Sequence, residues 1–324
     1  MNLQDNRHTK LSERMDILSR QEKHNEVSLI ICTRNRVLAL HQTLEALLPI
    51  VHDNHGVLEI MIMDNGSSDQ TATIVAEYAR LWNKLVYYNE PTKGLSRARN
   101  KAVALAKGEI LAWTDDDLMV SQEWLPRLIA PIAANVADCV VGRIEIAPQL
   151  QREWMKPFHR LWLAENIHPS LPQLIGANMA MRKSCFREGM AFDLETGPGA
   201  LGYMDDTLLG MRLRQSGKRI VYADEALVIH HFSVERLNRS FWIRTARASG
   251  RSTAYISHHW EHGLVCRPRL RLVWQRMKLW LLLLRLHVGG TVSSEGIDEK
   301  EFGIRKTIAY LEAMAALREI PFNY

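Results

Sequence analysis

The first half of the chain alternates short runs of continuous apolar residues with longer segments in which apolar residues recur every three or four positions. The short runs predict strands at Val27–Cys32, Leu58–Met63, Leu85–Tyr88 and Ile110–Trp113. The longer segments predict helices at Val37–Val51, Thr71–Leu81, Ser96–Ala106 and Gln122–Ala134. Strands that are apolar at every position are typical of a mostly parallel sheet covered by helices on both faces. The pattern therefore predicts an α/β fold.

The second half of the chain is patterned less regularly. Residues 137–175 contain several Trp and Pro residues and predict irregular structure. A glycine-rich loop at 197–202 precedes a helix predicted at Leu208–Ser216, and Ala226–Ile229 predicts a further strand. The organisation we expect is a polar segment at 1–25, a catalytic α/β domain at 26–235 with halves at 26–117 and 118–235, and a basic helical extension at 236–324.

Acidic and other polar side chains lie where the predicted strands end. The run Asp115–Asp117 follows the fourth strand, while Thr33 and Asp64 follow the first and second. Ligands of parallel sheets bind at the carboxyl ends of the strands. Adjacent carboxylates repel one another unless a cation offsets their charge, and oxygen ligands suit Mg²⁺ or Mn²⁺. The alternative interpretation is a solvated acidic turn.

Three further residues carry candidate chemistry, and each has a structural alternative. Arg99 lies in the first turns of a predicted helix, where it either meets a diphosphate or is solvated. Asp206 follows the glycine-rich loop, where it is either a general base or an acid that stabilises a helix N-terminus. His230 ends a predicted strand and is either a metal ligand or a structural histidine.

Five segments are informative together because of their order and spacing along the chain. They are VSLIICTRNR, MDNGSSD, KGLSRARNKAVALAKGEILAWTDDD, GANMAMRKS and GYMDDTLLGMRLRQSGKRIVYADEALVIHH. In this order and spacing they resemble glycosyltransferase family 2, the inverting enzymes with the GT-A fold, over roughly residues 26–255. The resemblance implies a Rossmann-like, mostly parallel sheet flanked by helices, followed here by a C-terminal helical extension.

The resemblance also implies roles for individual residues. Asp206 falls at the family's catalytic base, although Asp205 stands beside it where Glu is commoner. Contacts to a nucleotide-sugar donor are implied for Thr33, Arg36, Asp64, Arg99, Asp115 and Asn178. A Mn²⁺ or Mg²⁺ ion is implied on Asp115, Asp117 and His230. No covalent enzyme intermediate is implied, so no nucleophilic Ser or Cys is expected.

Charge is distributed unevenly along the chain. The net charge is +5, but residues 235–290 contain eleven Lys and Arg and two Glu, which leaves −4 for the remainder. A basic segment of this kind indicates an anionic partner, such as a membrane surface, a nucleic acid or a phosphorylated ligand. The four cysteines are scattered, which favours a reducing compartment, and we recognise neither a signal peptide nor a membrane span.

Residues 269–288 predict a helix with two apolar stripes and basic flanks. One stripe contains Leu270, Val273, Trp274, Met277, Trp280, Leu281 and Leu284, and the opposite stripe contains Leu272, Leu279, Leu282, Leu283 and Leu286. One stripe can pack on the catalytic domain while the other meets an anionic bilayer, with the basic side chains reaching the head groups. The alternative is a helix buried between two protein layers, or a dimer contact.

Together these patterns predict a cytoplasmic, metal-dependent inverting glycosyltransferase, peripheral to the inner face of the cytoplasmic membrane. It would move a sugar from a nucleotide-sugar donor to a hydroxyl of a glycan or lipid-linked acceptor in polysaccharide or glycoconjugate biosynthesis. The alternative is a non-enzymatic membrane- or nucleic-acid-binding protein on a nucleotide-binding fold. Asp115, Asp117 and Asp206 argue against it, since polyanion binding does not need these acids, and we expect no nucleic-acid partner.

Overall fold

The computed structural model describes residues 26–53, 56–289 and 293–324, so the predicted polar segment at 1–25 lies outside it. The strands are β1 (Val27–Thr33), β2 (Val57–Asp64), β3 (Leu85–Asn89), β4 (Ile110–Asp115), β5 (Leu118–Val120), β6 (Cys139–Ile146), β7 (Asn178–Arg182) and β8 (Ile220–His230). The helices are α1 (Val37–Asp53), α2 (Thr71–Leu81), α3 (Leu95–Leu105), α4 (Trp124–Ala133), α5 (Pro157–Trp162), α6 (Asp205–Gln215), α7 (Arg239–His259), α8 (Pro268–Val288) and α9 (Glu299–Leu317).

All eight strands form one sheet with the order β3-β2-β1-β4-β7-β6-β8-β5. The first four strands are mutually parallel, while β7 runs antiparallel to both β4 and β6, and β5 antiparallel to β8. In the parallel half, Thr33 is in register with Asp64, and Cys32 with Asp115. The sheet therefore brings the polar strand ends to one edge, as the sequence predicts.

Successive residues of β1 point to opposite faces of the sheet, and each face has its own core. Leu29 and Ile31 belong to one cluster with Leu40 of α1, whereas Ile30 belongs to a second cluster with Trp113 of β4. Burial on both faces explains why these strands are mostly apolar instead of alternating, and the buried polar pair Ser28 and Glu59 is hydrogen-bonded at 2.7 Å. The predicted layered α/β arrangement is thereby confirmed.

Residues 137–175 are more regular than their composition predicts. They contain the strand β6 and the helix α5, neither of which was predicted. Two short strands outside this segment, β5 and β7, were not predicted either. The β6 sequence includes Gly142 and Arg143, which weaken its local strand pattern. Its stability as a strand comes instead from β7 and β8, which pair with it from distant parts of the chain.

The C-terminal helices pack on an aromatic cluster beside the sheet. Trp242 of α7 and Phe302 of α9 contact Phe158 of α5, with ring centroids 5.9–6.3 Å apart. Trp154 and Trp162 are partly buried against the same cluster. The domain limits at 235 and 236 stay a prediction. No helix within the described residues is long and apolar enough to cross a membrane.

Candidate active site

Asp64 occupies the end of β2 in a fully bonded environment. Its Oδ1 atom accepts a hydrogen bond from the backbone N–H of Ser67 at 2.8 Å, and its Oδ2 atom accepts one from the Tyr87 hydroxyl at 2.7 Å. The carboxylate is buried. These bonds fix its orientation at the strand edge, and its predicted contact with a nucleotide stays a prediction.

The three adjacent aspartates at the end of β4 have different surroundings. Asp115 is partly exposed, whereas Asp116 and Asp117 are buried. Asp116 accepts hydrogen bonds from the Thr33 hydroxyl at 2.6 Å and from Arg36 Nη1 at 2.5 Å. The other guanidinium nitrogen of Arg36 donates to Asp117 Oδ2 at 2.6 Å. Arg36 thus offsets the repulsion between two of the three carboxylates.

Asp117 is held ionised by its neighbours. Burial alone would raise the pKa of the carboxyl group, but His230 and Arg36 outweigh burial and keep the pKa of Asp117 below its usual range. A carboxylate that remains charged at neutral pH is the form that binds a divalent cation.

His230 and Asp117 each have one buried polar atom without a hydrogen-bond partner in the part of the chain that the structure describes. His230 Nδ1 lies 2.8 Å from the Leu163 carbonyl oxygen, which can only accept, so Nδ1 carries the proton. Its Nε2 atom lies 3.5 Å from Asp117 Oδ1, and neither atom has a hydrogen-bond partner among the described residues. Buried polar atoms normally have a partner. A cation bound to both atoms would supply it, so the pair fits a divalent metal.

The third predicted metal ligand, Asp115, lies near this pair: burial, followed by the charge of Asp117, raises the pKa of Asp115, and the charge of His230 acts to lower it. Asp115 Oδ1 lies 4.0 Å from Arg99 Nη2. Within the ranges that the structure describes, no group of three His, Cys, Asp or Glu side chains could hold a metal ion by itself. Mg²⁺ and Mn²⁺ sites of phosphate-binding enzymes commonly use one or two carboxylates together with water and substrate phosphates. Asp117 and His230 fit such an incomplete set of ligands.

Arg99 connects the sheet edge to the start of α6. Its buried guanidinium donates to Asp205 Oδ2 at 2.5 Å and lies over the Phe192 ring, 5.4 Å from the ring centroid. A Cβ atom at position 176 would lie 1.8 Å from Arg99 Nη2, so only glycine leaves space for this side chain. Arg99 therefore fixes the distance between Asp115 and the Asp205–Asp206 pair.

Asp206 is the predicted base, and the backbone positions it from two sides. Its Oδ2 atom accepts a hydrogen bond from the Gly176 N–H at 2.8 Å, and its Oδ1 atom accepts one from the Thr207 N–H at 2.7 Å. Burial, followed by the charge of Asp205, raises the pKa of Asp206 to about 6. A half-buried carboxylate with this pKa is ionised at neutral pH and basic enough to accept a proton.

Asn178 occupies a different environment from the other predicted donor residues. It is fully buried, its amide nitrogen donates to the carbonyl oxygens of Arg143 and Ala226, and its oxygen accepts from the Trp124 indole. These bonds join β7 to α4 and β8, which is a structural task. Its predicted contact with the donor sugar stays a prediction.

The structure shows contacts for residues that lie outside the predicted set of site residues. Asp116 links Thr33 to Arg36, Asp205 anchors Arg99, and the Gly176 amide orients Asp206. Asp116 and Asp205 each lie next to a predicted site residue, and that adjacency was the only indication in the sequence. Their partners lie 80 to 106 positions away along the chain, so the contacts themselves had no local indication.

Comparison with known proteins identifies the family. The family model described as Glycosyl transferase family 2 matches residues 28–190. A glucosyl-dolichyl phosphate glucuronosyltransferase of Haloferax volcanii is 22% identical over 67% of this chain and 74% of the relative. An uncharacterized glycosyltransferase of Bacillus subtilis, EpsJ, is 22% identical over 92% of this chain and 88% of the relative.

Solved structures agree with this result at the level of the fold. The mannosyltransferase PcManGT from Pyrobaculum calidifontis, in complex with GDP-Man and Mn²⁺, matches with a TM-score of 0.57 and 17% identity, covering 90% of this chain and 86% of that chain. Glucosyl-3-phosphoglycerate synthase from Mycobacterium tuberculosis, with Mn²⁺, UDP and phosphoglyceric acid, matches with a TM-score of 0.51 and 16% identity, covering 71% and 78%. Since the family model spans half of the chain and the architecture agrees, this chain belongs to glycosyl transferase family 2 and has the GT-A fold.

Proposed function

We propose that the protein transfers a sugar from a nucleotide-sugar donor to a hydroxyl of a glycan or lipid-linked acceptor, with inversion and with Mn²⁺ or Mg²⁺. The observation that carries the proposal is the position of Asp206. Two backbone amides orient it, and Arg99 and Asp205 link it to the aspartates at the sheet edge. A base and a charged site for phosphate are thereby joined in one network.

In the proposed reaction, Asp206 accepts the proton of the acceptor hydroxyl as that oxygen attacks the anomeric carbon. The bond to the nucleoside diphosphate breaks on the opposite face of the sugar, and the diphosphate leaves with the bonding electron pair. One displacement inverts the anomeric configuration and needs no nucleophilic side chain on the enzyme.

Asp117 and His230 are the residues that would hold the metal ion. When bound there, the ion supplies positive charge that stabilises the departing diphosphate. Arg36 is bonded to Asp117 Oδ2, whereas the oxygen that faces His230 without a partner is Oδ1, so metal binding at Oδ1 leaves the Arg36 bond in place. Its guanidinium lies beside this position, where its positive charge would attract a phosphate of the donor, the contact that the family resemblance implies.

The comparisons support the substrate classes. The mannosyltransferase neighbour binds GDP-Man with Mn²⁺ and the synthase neighbour binds UDP with Mn²⁺, which supports a nucleotide-sugar donor and a metal. The name of the Haloferax relative contains a dolichyl phosphate, which supports a lipid-linked acceptor. Thr33 and Asp64 remain donor contacts in the proposal, and a role in polysaccharide or glycoconjugate assembly at the inner face of the cytoplasmic membrane stays a prediction.

A donor-hydrolysis assay tests the proposal. We expect slow release of nucleoside diphosphate from a nucleotide sugar with Mn²⁺, and no release in excess EDTA. A thermal-shift screen of nucleotide sugars with Mn²⁺ identifies the donor first, because ligand binding raises stability by mass action. NMR of the new linkage reports the anomeric configuration. Undiminished turnover in EDTA refutes metal dependence. If no nucleoside diphosphate is released with any donor, the result favours the non-enzymatic alternative.

A further inference from the structure

Helix α8 presents a continuous apolar face to solvent, which we call the outer face. Each of its large side chains is between 41% and 80% exposed. They follow the helical repeat, so they lie on one side of the helix. The members are Leu270, Val273, Trp274, Met277, Trp280, Leu281, Leu284 and Val288. Their number and contiguity exceed what scattered exposed apolar residues require, and such patches mark interaction sites.

Basic side chains border the outer face on both sides. At 100° per residue, Arg271, Lys278 and Arg285 fall along one edge at seven-residue intervals, while Arg269 and Arg276 fall along the other. The sequence contains no Asp or Glu between Glu261 and Glu295. The face is therefore an apolar strip between two rows of positive charge.

A cleft between the three C-terminal helices adds to this charge. It is lined by Arg247 of α7, Arg276 of α8, Arg305 and Glu312 of α9, together with apolar side chains that include Leu279. Arg305 is paired with Glu301 and Arg276 with Glu312, whereas Arg247 has no ion pair among the described residues. The cleft opens beside α8 and suits an anionic group such as a phosphate.

We propose that α8 lies in the plane of an anionic lipid surface, with its outer face in the boundary between head groups and acyl chains. Apolar burial and head-group attraction act together in helices of this type. The long Arg and Lys side chains on the edges can reach the phosphates while their stems stay apolar. Trp274 and Trp280 suit the interface, since indole rings combine an apolar body with a polar N–H.

The charges favour lipid over a second copy of this chain. A two-fold contact through the outer face would bring the basic rows of two α8 helices together with no acidic side chains on α8 to compensate them. Like charges held close together oppose association. An anionic membrane supplies the missing negative charge without requiring a complementary protein surface.

The membrane contact goes beyond the proposed reaction and can be measured without donor or metal. The full-length protein is sedimented with vesicles of neutral phosphatidylcholine, and with vesicles that also contain anionic phosphatidylglycerol, at low and high salt. We expect binding to the anionic vesicles, weak binding to the neutral ones, and release by salt. Failure of sugar transfer would leave this result unchanged, so the two proposals fail separately.

Two triple variants separate the apolar and the charged contributions. Leu270→Gln, Trp274→Gln and Leu281→Gln together should lower vesicle binding by at least about tenfold, because exposed apolar area is lost from the interface. Arg271→Gln, Lys278→Gln and Arg285→Gln together should lower it by about 100-fold, since each charge near an anionic surface contributes roughly fivefold. The matched apolar control replaces three exposed residues elsewhere, Leu81, Val136 and Leu171, by Gln and should bind like the wild type.

Circular dichroism shows whether each variant is folded. If the apolar variant is unfolded, the charge variant still tests the proposal, because it leaves the apolar residues of the outer face unchanged. Equal binding of the wild type to neutral and anionic vesicles, or binding to neither, overturns the proposal. It is also overturned if light scattering detects a dimer that only the apolar variant abolishes while no vesicle binds. Equal loss of binding in the Leu81, Val136 and Leu171 control likewise contradicts it.

Discussion

Charged side chains are buried and paired at the acidic edge of the sheet, whereas those bordering the outer face of α8 are exposed. At the sheet edge, Asp116 and Asp117 are buried and share Arg36, and Asp205 is buried against Arg99. On α8, the basic side chains stand in solvent beside exposed apolar residues, and the acids that could balance them are absent from the helix.

The difference separates charges that serve geometry from charges that serve a surface. A buried ion pair is costly to break because one partner is left charged and unpaired in a medium of low polarity. An exposed charge contributes little to stability. The sheet edge therefore fixes distances between functional groups. The charges of α8, including Arg276 in its exposed pair with Glu312, add little to folding and remain accessible to a partner outside the protein.

The largest effect is expected from replacing the proposed base, Asp206 at the start of α6. Asp206→Asn keeps the shape of the side chain but removes its ability to accept a proton, so transfer should fall by roughly 10²–10⁴. Binding of the nucleotide sugar should stay within a few-fold, which calorimetry can measure beside the steady-state rate. A variant with near wild-type kcat would move the role to another carboxylate, with Asp205 as the first candidate.

Breaking a buried pair tests the stability side of the comparison. Arg99→Met leaves Asp205 buried without its partner and should lower the free energy of unfolding by about 3–5 kcal/mol. The matched control is Arg276→Met, which breaks the exposed pair with Glu312 and should cost about 0–1 kcal/mol. Urea titrations of both variants give the two values. Equal costs would remove the distinction between the two regions.

The pH dependence reports the environment of Asp206. The base must be ionised to act, so kcat/KM should fall as the pH drops through about 6, the value to which burial and Asp205 raise the pKa of Asp206. One pH unit below that pKa the rate should be lower by about tenfold. A pH–rate profile checks this, and an acidic limb near pH 4 would mean that the pKa of Asp206 is not raised in the free enzyme.

Arg36 offers a measurement on the metal site that does not depend on turnover. Its guanidinium is bonded to Asp117 Oδ2, so Arg36→Gln should strengthen Mn²⁺ binding in the absence of donor by up to about tenfold, because a positive charge beside the proposed metal ligands is removed. Electron paramagnetic resonance of free Mn²⁺ measures the affinity. Asp117→Asn is the control and should weaken binding. Weaker Mn²⁺ binding by the Arg36 variant would contradict repulsion between Arg36 and the ion.

The smallest effect on folding is expected from the outer face of α8. Each single replacement Leu270→Gln, Trp274→Gln or Leu281→Gln should change the free energy of unfolding by no more than about 0.5 kcal/mol, because these side chains are already in solvent. Leu282→Gln on the half-buried inner stripe should cost more, about 1–3 kcal/mol. The denaturant midpoints of these variants give the comparison. A large loss of unfolding free energy in Trp274→Gln would show that the outer face is part of the core.

Much of the fold could be predicted from local pattern. The strands β1 to β4 and the helices between them agree with the predicted segments to within two residues at each end, since apolar runs and helical repeats are local properties. The short strands β5 and β7 and the mixed β6 were missed, because their pairing depends on partners far away in the sequence. For the same reason, residue spacing could not predict the bonds of Arg36 and Arg99 to specific carboxylates.

The sequence by itself determined which elements form in the parallel half and which residues reach the ends of the parallel strands. Apolar runs, helical repeats and glycine positions are properties of a few neighbouring residues. It also determined that α8 has two apolar stripes. Only the tertiary structure decided which stripe is covered: the stripe with Leu279 and Leu282 is half-buried, and the stripe with Trp274 and Trp280 faces solvent. That choice depends on packing between distant helices, and so does the pairing of buried charges at the sheet edge, because both minimise exposed apolar area and unpaired buried charge over the whole chain.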